Sequence, residues 1–140
     1  MKISKVVLKI GGSILFPSFP FDTLLFKKII RDLSEFIIKS KELNNEAKIA
    51  IVIGGGKPAR EYIKLAREIG LSTYIQDLIG IETSRLNALV ILNSVKNHLA
   101  NMGYHDLAEK ISSGIPRTSK RSLSHCNLPI LKIIVLEALL

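Results

Sequence analysis

Lys48-Ile49-Ala50-Ile51-Val52-Ile53-Gly54-Gly55-Gly56-Lys57-Pro58-Ala59-Arg60 decides how the rest of the chain is read. An apolar, β-branched run stops at three glycines, and Pro58 marks the first turn of a helix directly after them. A strand, a bare-backbone loop and a helix start therefore follow one another within thirteen residues. Glycines let a ligand approach the main chain, and the unpaired N–H groups at a helix start favour an anion, so phosphate is the expected guest. Arg60 falls in the first turn, where a cation opposes the helix dipole; a bound phosphate explains it better than helix stability does. The loop is neither G-x-G-x-x-G nor a Walker sequence ending in Gly-Lys-Ser/Thr, and a purely structural tight turn could use the same glycines.

A second junction of the same kind lies upstream. Lys5-Val6-Val7-Leu8-Lys9-Ile10 is an apolar run broken only by Lys9, as expected of a central parallel strand covered on both faces, and it ends in Gly11-Gly12-Ser13. Lys9 either meets an anionic partner in a buried strand or lies at an edge and reaches water. Residues 14–21 carry two prolines and three phenylalanines, which predicts a loop packed down over the sheet. Asp22 or Thr23 can cap the next helix, whose apolar stripe is Phe26, Ile29, Ile30, Leu33, Phe36 and Ile37; the polar stretch Lys39 to Lys48 turns the chain into the second strand. Strand, crossover helix and strand form a βαβ unit, with both glycine loops at the carboxyl edge of a parallel sheet, where such sheets bind ligands.

Downstream of the loop, Ala59, Tyr62, Ile63, Ala66 and Ile69 should be the buried stripe of a helix ending at Gly70. Ser72 or Thr73 caps another helix, from about Tyr74 through Asp77, Gly80, Arg85 and Asn87 to near His98. Gly80 inside it predicts close approach of another backbone, from this chain or a second subunit. Leu78, Ile79, Ile81, Leu86, Leu89 and Val90 exceed what a small sheet can cover, which predicts a homodimer or higher homo-oligomer. A short helix is expected from His105 to Ile111, then a loop from Pro116 to Pro129, and an apolar terminus, Ile130 to Leu140, without sheet neighbours.

Composition narrows the class. At 140 residues with 47% apolar side chains, one globular domain is the default. The net charge of +8 is uneven: residues 1–109 hold 15 basic and 11 acidic groups, residues 110–140 hold 5 and 1. Lys110, Arg117, Lys120 and Arg121 have no interleaved aromatics, so a solvated basic segment is read there and no nucleic acid is expected. No apolar run reaches the roughly 20 residues that span a bilayer, and with a single cysteine and no leader the chain is expected to be cytoplasmic, without a membrane partner. His98, His105, His125 and Cys126 share no ligand spacing, so no metal is assigned to side chains; no nucleophile motif is present.

Val7 to Ser13 and Ile51 to Arg60, followed by Asp77-Leu78-Ile79-Gly80-Ile81 and Ser84-Arg85-Leu86-Asn87-Ala88, together resemble the amino acid kinase superfamily. Within it the resemblance is to archaeal-type uridylate kinases over about residues 5–100; isopentenyl phosphate kinases carry a histidine where Ile53 stands. The resemblance implies an α/β fold, the parallel-sheet sandwich of the amino acid kinases, with only its N-terminal part present. It also implies transfer of the ATP γ-phosphoryl to UMP with Mg²⁺. Carried over residue by residue, Lys9 steadies the transferring phosphoryl, Gly12 and Ser13 meet ATP phosphates, and Gly56 and Arg60 meet phosphate at the donor–acceptor junction. Gly55 then touches UMP, and Asp77 either receives its ribose or is a plain helix-start carboxylate. Residues 1–115 are expected to be the acceptor-side lobe and 116–140 a divergent tail; the ATP base pocket of the family is not found in them, so the chain is expected to be inactive alone. The other function class is a non-catalytic phosphate-binding or assembly module.

Overall fold

The computed structural model describes residues 5–44, 48–111 and 131–134. Its elements run β1 (Lys5–Ile10), α1 (Gly12–Leu15), α2 (Thr23–Leu43), β2 (Lys48–Ile53), α3 (Gly56–Glu68), α4 (Thr73–Asn101), α5 (His105–Lys110) and β3 (Leu131–Ile134). All strand pairing is parallel, in the order β1-β2-β3. The expected α/β class and βαβ start are therefore present. The loop expected across 116–129, with Arg117, Lys120, Arg121, His125 and Cys126, lies outside the described residues.

Register explains which side chains are inside. Lys5 pairs with Lys48 and Ile10 with Ile53, so Val6, Leu8 and Ile10 share a face with Ile49, Ile51 and Ile53. That face meets Leu33 and Ile37 of α2, Ile91 and Val95 of α4, and Ile111 in one apolar core. Each fully buried Ile or Leu there contributes roughly 1.5–3 kcal/mol. The opposite face of β1 carries Lys5, Val7 and Lys9, all exposed, with Val7 at 72%. β1 is thus the edge strand of the described sheet, covered on one face, and β2 is the central one. Coverage on both faces, expected from the apolar run, is not observed.

Helix ends follow their local chemistry. Asp22 caps α2, its Oδ1 accepting the Leu25 N–H at 3.0 Å. The helix runs on to Leu43 rather than breaking at Lys39, because Lys, Ser and Glu are tolerated in an exposed last turn. Gly70, at φ +78°, ends α3: the Leu71 N–H reaches the Ala66 carbonyl at 2.9 Å and the Gly70 N–H that of Arg67 at 3.1 Å. Ser72 opens α4, its Oγ accepting from Ile75 at 3.4 Å, and the short helix from His105 is present as expected.

Two expectations about coverage fail. Tyr62 and Ile69, placed on the buried stripe of α3, are 51% and 64% exposed, whereas Ala59 and Ala66 are buried. Residues 131–134, expected to lack sheet neighbours, form β3 alongside β2, with Ile49 opposite Leu131 and Val52 opposite Ile134. The loop expected to pack down does so at Phe16, which is buried with its ring 5.7 Å from that of Phe21 and 5.8 Å from that of Phe26; Phe19 and Phe21 remain exposed.

Candidate functional site

Because β1 and β2 run in register to Ile10 and Ile53, their glycine loops leave the sheet side by side. The two main chains touch. A Cβ on Gly12 would fall 2.2 Å from the Gly56 nitrogen and 2.7 Å from its Cα; one on Gly56 would fall 2.4 Å from the Gly12 oxygen. Gly56 also has φ +62°, which side chains rarely adopt. Gly11, by contrast, has nothing within 4 Å of its Cβ position. The expected Gly11-Gly12-Ser13 loop is shorter than it reads, because α1 starts at Gly12 and closes with the Phe16 N–H on the Gly12 carbonyl at 2.8 Å.

The head of α3 has no side-chain cap. Its donors are nevertheless fewer than a bare helix start suggests: the Lys57 N–H goes to the Phe16 carbonyl at 3.0 Å, and Pro58 has none. The cations beside the loop divide their work. Lys57 Nζ lies 2.9 Å from Glu61 Oε1, and this hydrogen bond, then the lysine charge, holds the Glu61 carboxyl below its usual pKa. Arg60 turns to the other loop, its guanidinium donating to the Ser13 hydroxyl. Arg60 is the fifth residue of α3 and so lies just past the first turn, where its bond to Ser13 ties the two glycine loops together.

Of the residues singled out from sequence, Gly12, Ser13, Gly55, Gly56 and Arg60 are brought together. Lys9 is exposed two residues before Gly11, so the buried lysine that needs an anionic partner is not observed; the edge alternative is. Asp77 is exposed on α4, one turn before Gly80. It lies beyond the first turn, which weakens its reading as a plain helix-start carboxylate. Gly80 faces a side chain of α3 where another backbone was expected. A Cβ there would lie 3.3 Å from Ile63 Cδ1 of α3, and its carbonyl is 3.6 Å from the Cβ position of Gly55.

One residue escaped the sequence reading. Asn87, only 4% exposed, donates from Nδ2 to the carbonyls of Gly54 at 3.0 Å and Gly55 at 2.9 Å. Its signal was present: Gly80, Ser84 and Asn87 recur at four- and three-residue steps, a small and polar stripe beside the apolar positions of the helix. Ser84 satisfies its buried hydroxyl within α4, on the Gly80 carbonyl at 3.0 Å.

A cleft of about 490 Å³ lies elsewhere, lined by Ile38, Lys41, Glu42, Tyr104, His105 and Lys110 among others, at the carboxyl end of α2 and the turn after α4. Burial, then the charge of Lys110, lowers the pKa of Lys41 there. It is remote from the glycine loops in the fold, since α2 leads from it into the start of β2. Among the described residues no group of three or more His, Cys, Asp or Glu is placed to hold a metal, and no helix is long and apolar enough to cross a membrane.

The sequence profile of the amino acid kinase family matches residues 4–130. Uridylate kinase of Methanobrevibacter smithii is 37% identical over 107 residues, which cover 76% of this chain and 44% of that protein. Uridylate kinase of Archaeoglobus fulgidus is 37% identical over 91 residues, 65% of this chain and 36% of that one. The crystal structure of uridylate kinase from Archaeoglobus fulgidus is similar with a TM-score of 0.52 and 40% identity, again over 65% of this chain and 37% of the other. The chain thus spans less than half the length of these relatives. With the parallel sheet, two glycine loops at its carboxyl edge and a profile match over most of its length, the chain belongs to the amino acid kinase family.

Proposed function

We propose that this chain forms the phosphate-cradling edge of a uridylate kinase site, where the ATP γ-phosphoryl passes to UMP. The observation that carries this reading is the main-chain contact between Gly12 and Gly56, spanned by Arg60 and Ser13. Phosphoryl transfer asks chiefly for positioning and charge neutralisation, and two abutting cradles hold two phosphates facing each other. Gly12 and Ser13 meet ATP phosphates, Gly56 and Arg60 the phosphate at the junction, and Gly55 meets UMP. Asp77 reaches the ribose, and the exposed Lys9 swings its ammonium toward the transferring group. Mg²⁺ would neutralise the phosphates on which it arrives, and no described side chain is assigned to it.

Arg60 tests the reading. Losing a charge-assisted bond to phosphate costs about 1.5–3 kcal/mol, roughly ten- to a hundredfold in affinity. Calorimetry should show UMP bound more weakly by Arg60→Ala to that extent, with unfolding almost unchanged because the side chain is exposed. Equal UMP affinity in parent and variant would remove Arg60 from the site.

One surface feature also supports assembly. Leu78, Leu86, Leu89 and Val90 of α4 are all exposed, Leu86 by 58%, and Tyr62, Leu65 and Ile69 of α3 are exposed too. A homodimer burying α4 is expected. Sedimentation of a monomer at micromolar concentration would contradict it. If calorimetry finds neither UMP nor ATP bound while the dimer is present, the chain is an assembly module instead.

A further inference from the structure

We infer that Asn87 is a positioning residue that aims the amides of Gly55 and Gly56 at the phosphate. The inference rests on reading the glycine loops as phosphate cradles. Asn87 is buried on α4, and the two hydrogens of its Nδ2 go to two successive carbonyls, Gly54 and Gly55. Two carbonyl acceptors also settle which end of the amide faces the loop, since Oδ1 cannot donate.

The consequence follows from the peptide plane. In a trans peptide the C=O and the next N–H point in opposite directions. Drawing the Gly54 carbonyl toward α4 turns the Gly55 N–H away from α4, and drawing in the Gly55 carbonyl does the same for the Gly56 N–H. Both amides then face the side where Gly12, Ser13 and Arg60 converge. The Ala59 N–H also reaches the Gly55 carbonyl, at 3.4 Å, so α3 shares in holding that peptide; Asn87 ties it to the Gly54 peptide before it, where glycine leaves the backbone freest. The rest of the helix head cannot replace these donors: Lys57 gives its N–H to Phe16, and Pro58 has none. Gly80 and Ser84, on the same stripe of α4, let the helix come close enough for the short Asn87 side chain to reach.

Nuclear magnetic resonance of ¹⁵N-labelled residues 1–140 tests this with three proteins: the parent, Asn87→Ala, and Asn87→Leu, which keeps the branched shape, adds no charge and loses the donors. In the parent the Asn87 side-chain amide protons should exchange slowly, and the Gly55 and Gly56 amides should be as ordered as those of β2. In both variants the two glycine amides should loosen while Ile91 and Leu99 keep their exchange protection. UMP and inorganic phosphate should bind both variants about tenfold more weakly or worse. A role in packing alone would spare Asn87→Leu. Solvent-rate exchange of the parent Asn87 amide overturns the inference without need of any variant, as do unchanged loop order and affinity in both variants. A parent that binds neither UMP nor phosphate removes the cradle reading instead; the loop-order comparison then decides separately whether Asn87 holds the loop.

Discussion

Residues 1–140, purified and supplied with UMP, ATP and Mg²⁺, should release ADP far more slowly than about 1 per second, the low end of ordinary enzyme turnover. The candidate site supplies two glycine loops, Ser13 and Arg60 at one sheet edge, all of them proposed as phosphate contacts. The cleft beside Lys41 and Lys110 lies at the other end of the sheet. Held only by its phosphates, ATP is not fixed in line with the acceptor. Orientation of two reactants is worth roughly 7–11 kcal/mol, so a site that leaves one of them loose should lose most of its rate. The relatives are more than twice as long as the segment matched here, which fits a site completed by further chain. A coupled assay decides it, and turnover near 1 per second or above would mean that residues 112–140 complete the site.

Gly12→Ala should be strongly damaging, and Gly11→Ala next to it should be nearly silent. A methyl at Gly12 would sit 2.2 Å from the Gly56 nitrogen and 2.9 Å from the Gly54 carbonyl carbon, and both are main-chain atoms that cannot swing aside. Overpacking usually costs about 1–3 kcal/mol, and a clash with backbone belongs at the upper end. A loss of about 3 kcal/mol should lower Tm on the order of 10 °C and pull the two loops apart, abolishing phosphate binding. Gly11 has open space and φ −59°, ψ 136°, which alanine adopts freely, so its change should stay within about 0.5 kcal/mol. Urea denaturation of the two variants side by side is the check; equal stabilities would show that the loops do not touch.

Much of this was legible in the residues, and the failures share a cause. β1, β2, the capping of α2 and α4 and the Gly70 stop follow from local pattern, since period, caps and breakers act within a few residues, and the βαβ rule then puts both glycine loops at one sheet edge. Lys9, Tyr62 and Ile69 were misplaced because spacing tells which side chains share a face, not whether anything lies over that face. β3 was missed for a related reason: parallel pairing joins residues 131–134 to β2 across most of the chain, and no local signal announces it. Arg60 and Ser13 were each legible, but the bond between them was not, since it depends on the register of β1 against β2. Asn87 lay inside a quoted motif without a role; a buried amide in a helix should have prompted the question of which backbone groups it satisfies.

That register has a consequence of its own. The pairing of Ile10 with Ile53 acts as a ruler between the two glycine loops proposed to hold phosphate, set by main chain against main chain. A slip of one residue would move one loop past the other by about 3.3 Å, longer than a hydrogen bond, and would turn Lys5, Val7 and Lys9 into the core. The same apolar alternation that buries Leu8 against Ile51 therefore sets the distance over which a phosphoryl group would have to travel.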